Sequence, residues 1–191
     1  MIFTFNSMKR ILHVMLIICS FAQQQSFAQT DTLRLLSFEN TLSFDFPVEH
    51  SDQSYDLRRL MEGRYNGVIY SFFISDEYNY TRIMNGLDLD SLYTIIIGNT
   101  LQVYANDIVE HDTYNMNFGE LRGKFMQVTS TSKSNPYVAE YYLMCVSGRI
   151  FILSATYLSN YTESQIKQAK NLGNSIKFNE KLGYMQQLNR F

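Results

Sequence analysis

Tryptophan is absent from this chain, and cysteine and proline occur only twice each. The two cysteines, Cys19 and Cys145, exclude a disulfide-stapled scaffold, because Cys19 lies in a segment expected to be removed. Pro47 and Pro136 are the only prolines, and no low-complexity tract or internal repeat interrupts the chain. Basic charge is scarce as well. Sixteen Lys and Arg against 18 Asp and Glu give a formal net charge of −2. No Lys/Arg cluster offsets that balance, so the electrostatic footprint of a nucleic-acid-binding protein is missing.

What is present begins at the N-terminus. Met1 to Arg10 carries Lys9 and Arg10 and no acidic residue, Ile11 to Ala22 is a short apolar core, and Ser26-Phe27-Ala28 ends in small residues. This is the pattern of a secretory signal peptide over residues 1–28, and its apolar run falls short of the ~20 residues that span a bilayer. No transmembrane segment is expected after cleavage. Removal takes two basic residues and no acidic ones, so the charge moves from −2 to −4 and 163 of the 191 residues remain. A lipid anchor on Cys19 is the lesser alternative, because Ile18 is too bulky for the position before a lipidated cysteine. The product is expected in the periplasm or outside the cell.

The mature chain reads as one α+β domain over residues 29–178, followed by a partly ordered tail at 179–191. Aromatics are abundant, with 14 Tyr and 14 Phe, and their period-two alternation indicates strands. Strands are expected at Leu33–Phe38, Leu42–Phe46, Val68–Ser75, Glu120–Thr129, Tyr137–Val146 and Arg149–Leu158. Asn66-Gly67 and Ser147-Gly148 are turn signals, the second of them joining a tight hairpin. Glu49 to Arg64 is polar and reads as a loop or short surface helix. Ser91–Ile108 carries helical stripes after Asp88 and Asp90, which suit a helix start. Thr162-Glu163-Ser164-Gln165 is a capping box opening a second helix, with Ile166, Ala169, Leu172 and Ile176 inward.

Three pieces resemble the Mog1/PsbP-like group, which includes the DcrB-like proteins: Leu42-Ser43-Phe44-Asp45-Phe46-Pro47, Val146 to Ile152 (VSGRIFI), and Asn174-Ser175-Ile176-Lys177-Phe178. The resemblance implies an antiparallel β-sheet flanked by helices, an α/β/α sandwich. It implies little about activity, and no functional residue carries over.

Reactive constellations are as scarce as tryptophan. No G-x-S-x-G elbow, Gly-rich phosphate loop or HExxH spacing occurs. His50 and His111 would form a metal site only if the fold joined them, and a hydrolase would need one of them to meet a serine. Asp88 and Asp90 lack the further oxygen ligands of a calcium loop. Cys145 sits in an apolar run and is expected to be inert. No catalytic residue, metal or cofactor is therefore assigned, and the chain is expected not to be an enzyme. Of the tyrosines beside predicted strands, Tyr78 and Tyr80 are the candidate partner contacts, since Tyr offers large area with a polar tip. The reading is an exported binding or accessory protein of the bacterial cell envelope with an unassigned envelope partner. Its alternative is a carrier of a small apolar ligand, held between the sheet and the Ser91–Ile108 helix by Phe72, Ile96 and Tyr104.

Overall fold

The central strands of the large sheet are set by side chains that alternate between two covered faces, and the pairing partner decides where the alternation is ambiguous. The computed structural model describes residues 32–38, 41–53, 59–74, 89–102, 104, 109–131, 136–146, 149–158, 160 and 162–179. In chain order these form β1 (Leu33–Phe38), β2 (Leu42–Pro47), β3 (His50–Asp52), β4 (Arg59–Tyr65), β5 (Val68–Ile74) and α1 (Leu89–Gln102). There follow β6 (Val109–Phe118), β7 (Leu121–Ser130), β8 (Tyr137–Val146), β9 (Arg149–Leu158), α2 (Glu163–Ser175) and β10 (Lys177–Phe178). The expected signal peptide at 1–28 and the tail from residue 180 lie outside the described residues.

Two antiparallel sheets result. The small one has the order β1-β2-β10, the large one β3-β4-β5-β9-β8-β7-β6. Adjacent residues of a strand point to opposite faces, so β5 serves two cores. Val68, Tyr70, Phe72 and Ile74 join Tyr142, Met144, Phe151 and Leu153 in packing against Phe44 and Phe46 of β2 and Ala169 and Leu172 of α2. Phe73 joins Ile152, Leu143 and Met126 on the other face, under Leu92, Tyr93 and Ile96 of α1. The large sheet is thus the middle layer, with α1 on one side and α2 plus the small sheet on the other. This is the expected α+β sandwich.

Local chemistry explains the joints. Asn66 (φ 48°) and Gly67 (φ 79°) both take the left-handed conformation and close the β4–β5 hairpin at Tyr65↔Val68, as a mirror-image type I turn requires. The Asn66 amide donates to Gln168 Oε1 at 3.1 Å, and its carbonyl accepts from Gln165 Nε2 at 3.1 Å, so the turn is tied to α2. The Thr162 N–H donates to Gln165 Oε1 at 3.1 Å, which caps the first turn of α2. Phe178 pairs opposite Leu42 and lays β10 against β2.

Three expectations are corrected. Part of Glu49–Arg64 is strand, not loop or helix: β3 and β4 occupy it, and Met61 is fully buried opposite Phe72. Its charged residues disguise the strand because Glu62 and Arg64 share a face with Leu60. The helix placed at Ser91–Ile108 begins at Leu89, and its described helical residues end at Gln102, with β6 starting at Val109. Strand β6 was not foreseen, since its polar residues show no buried face.

Candidate interaction surface and buried polar sites

The two edges of the large sheet differ in kind. Strand β3 has three residues, and Ser51 Oγ donates to the Glu62 carbonyl at 3.3 Å. Strand β6 has ten residues and pairs with β7 without a bulge from Val109↔Ser130 to Phe118↔Leu121. Every residue from Glu110 to Asn115 is exposed, whichever face it occupies. Neither α1 nor α2 therefore covers this end of the sheet, and among the described residues nothing pairs with the outer side of β6.

On the α2 side of β6 stand Glu110, Asp112, Tyr114 and Met116. Tyr114 is 55% exposed, and its ring stacks on Phe125 at 4.7 Å between centroids. Its hydroxyl pKa is raised by partial burial first, then by the charges of Glu140 and Asp112. Asp112 lies opposite Gln127, which lies opposite Glu140. Glu140 is 1% exposed and fully engaged. Tyr157 Oη donates to Oε1 at 3.1 Å, Tyr142 Oη to Oε2 at 3.1 Å, and Gln127 Nε2 approaches Oε1 at 3.4 Å.

The α1 face carries a second polar feature. Glu62, Ser71, Ser154 and Tyr141 stand directly opposite one another across β4, β5, β9 and β8, and all four are buried. Tyr141 Oη is hydrogen-bonded to Tyr104 Oη. Glu62 is 4% exposed, and among the described residues its Oε1 has no hydrogen-bond partner. Burial pushes its carboxyl pKa up, opposed by the charge of Arg64. Helix α1 is fixed at its start. Tyr93 Oη donates to the Arg122 carbonyl at 3.2 Å and accepts the Cys145 N–H at 3.0 Å, while Asp90 pairs with Arg122 and Lys124 at 3.0 and 3.1 Å. Asp90 lies within the first turn, and its carboxylate docks the helix on Arg122 and Lys124.

The other sequence candidates fall as follows. Tyr78 and Tyr80 lie outside the described residues, as does Asp88. His50 and His111 are not brought together: they sit on the two edge strands, roughly six strand spacings of about 4.8 Å apart. His50 Nδ1 lies 2.9 Å from the Pro47 carbonyl, and its ring packs edge-on against Phe46. The thiol of Cys145 is pushed up to about 11 by burial, which leaves little thiolate at neutral pH. Phe72 does not converge with Ile96 and Tyr104; Phe73, its neighbour, takes that place on the α1 side. The exposed tyrosine that the sequence reading missed is Tyr114. Its signal was the two-residue Gly119-Glu120 spacer between Phe118 and Leu121, with Gly119 at φ 67°.

No protein-family model and no curated protein matches the chain. Solved structures do. Cyanobacterial PsbP (CyanoP) from Synechocystis sp. PCC 6803 superposes with a TM-score of 0.50 at 9% identity, over 82% of this chain and 98% of that one. The fold is PsbP/Mog1-like. A protein from Bacteroides thetaiotaomicron aligns at a TM-score of 0.45 and 9% identity, over 78% of this chain and 49% of its own. LpqN of Mycobacterium tuberculosis, involved in cell envelope biogenesis, aligns at 0.34 and 12%, over 80% and 81%. The PsbP-like frame supplies the layers, and the open β6 edge is the surface they leave uncovered among the described residues. No described helix is long and apolar enough to cross a membrane.

Proposed function

We propose that the protein is an exported, non-enzymatic accessory factor of the bacterial cell envelope that binds another protein through the β6 side of its large sheet. The observation that carries this reading is the run Glu110–Asn115, exposed on both faces of an edge strand. Long bare edges are normally shortened, bulged or covered, because their free backbone groups invite pairing. The PsbP-like fold and the basic-apolar-small N-terminus support an exported accessory role, and no group described above forms a nucleophile–base pair. A photo-crosslinking residue at position 114, compared with one at Lys170 on the exposed side of α2, tests the reading in intact cells. A discrete adduct in the envelope fraction at 114 and not at 170 is expected. No adduct at 114, or the same adducts at both positions, overturns it.

A second reading, carriage of a small ligand between the sheet and α1, is favoured by one observation. The row Glu62–Ser71–Ser154–Tyr141 is polar inside an otherwise apolar face, and Glu62 Oε1 is unpartnered. A buried acceptor left unmade costs about 1–3 kcal/mol, which a ligand donor would recover. Native mass spectrometry of the purified protein checks this: a co-purifying small molecule lost in Glu62→Gln supports carriage, and a ligand-free mass contradicts it.

A further inference from the structure

We propose that β6 accepts an extended, lysine- or arginine-bearing segment of a partner protein as an eighth strand of the large sheet. This deepens the accessory reading and rests on it. The backbone argument comes first. In an antiparallel pair, alternate residues turn their N–H and C=O groups away from the partner, so β6 presents such groups along ten residues beyond its pairing with β7. It holds no proline or lysine, and its register with β7 runs without a bulge, so among the described residues the charges of Glu110 and Asp112 are what guards this edge. Added strands obtain affinity from this backbone ladder and specificity from alternate side chains.

Those side chains name the partner's chemistry. Glu110 and Asp112 project on one face, both exposed, and neither forms an ion pair among the described residues. The Glu140 carboxyl stands two strands inward on the row of Asp112, with Gln127 between them. The nearest cations on β7, Arg122 and Lys124, are engaged by Asp90 on the opposite face. Among the described residues the open face is therefore anionic without a local counter-charge. Next along the same face, the stacked and exposed ring of Tyr114 offers a π surface to a guanidinium or a lysine stem. A second copy of β6 would bring two more carboxylates and no cation, so self-pairing is the poorer fit.

The probe is a fluorescein-labelled decapeptide alternating lysine with valine, set against the same peptide with glutamate in place of lysine. Binding to the full chain is followed by fluorescence anisotropy and by amide exchange of β6. The lysine peptide is expected to bind, to weaken as salt rises, and to protect alternate β6 amides. The double variant Glu110→Lys, Asp112→Lys is expected to weaken it at least about tenfold and to favour the glutamate peptide, since like charges across an interface repel. Both residues are exposed, so folding is checked simply by circular dichroism. Equal binding of the two peptides, protection mapping away from β6, or a β6-paired dimer in sedimentation would each overturn the inference. If position 114 still crosslinks a partner while the lysine peptide fails, the interaction surface stands and its basic occupant falls.

Discussion

The large sheet buries one glutamate on each face, and the two are treated in opposite ways. Glu140, on the α2 side, receives two tyrosine hydroxyls and a glutamine amide. Glu62, on the α1 side, keeps Oε1 buried and unpartnered. A satisfied network stiffens its surroundings, whereas an unmade hydrogen bond withholds stability. The contrast extends to packing. The α2 side is an aromatic interlock in which Phe44 and Phe72 lie 4.7 Å apart and Phe125 meets Tyr142 at 5.2 Å. On the other side, α1 is secured at its start by Tyr93 and Asp90. The α2 face therefore carries the satisfied glutamate and the aromatic interlock, and the α1 face carries the glutamate left with an unmade hydrogen bond among the described residues.

The sharpest way to break this comparison is Gly173→Ala in α2. A Cβ there would lie 2.3 Å from Tyr142 Cε1 and 2.8 Å from its hydroxyl. Tyr142 cannot swing aside without releasing Glu140, so the ~1 kcal/mol of helix propensity gained over glycine is overwhelmed. We expect a net loss of about 2–3 kcal/mol, read as a drop in urea midpoint. Next in size is Tyr157→Phe, which removes one donor to Glu140 and leaves the ring in place. Its cost is expected at about 1–2 kcal/mol, with the pairing of β8 and β9 retained. A loss below about 0.3 kcal/mol would mean that Glu140 is not held as the geometry indicates.

The sequence made the covered parts of this fold legible and hid the bare ones. Strands β8 and β9 were read at their observed limits, because Tyr137–Val146 and Arg149–Leu158 are apolar on both faces and joined by a two-residue spacer. The α2 cap was readable for the same local reason. Strand β4 was missed because Glu62 and Arg64 sit at positions where a core residue is expected, and it is pairing with β3 and β5 that holds the segment in a strand. Strand β6 was missed because it buries almost nothing, so hydrophobic periodicity had no face to report. That is why the sequence alone does not point to Tyr114, while Tyr78 and Tyr80 lie outside the described residues. An exposed edge of this kind is defined by what the rest of the fold leaves uncovered, which no local pattern encodes.

The smallest expected effect sharpens the comparison most, because it isolates Glu62 from packing. Burial raises the Glu62 pKa above the ordinary carboxyl value of 4.5, with the Arg64 charge opposing. The folded state therefore holds this proton more tightly than the unfolded chain does. Its share of stability is fully present below the ordinary value and is lost as pH rises through the raised folded value. Glu62→Gln cannot titrate and keeps the shape, so its stability relative to the parent should improve as pH rises from below the ordinary value through the raised one. Urea unfolding of both proteins across that range reads the difference. Parallel pH profiles would show that Glu62 is as well provided for as Glu140, and the asymmetry between the two faces would then be one of aromatic packing alone.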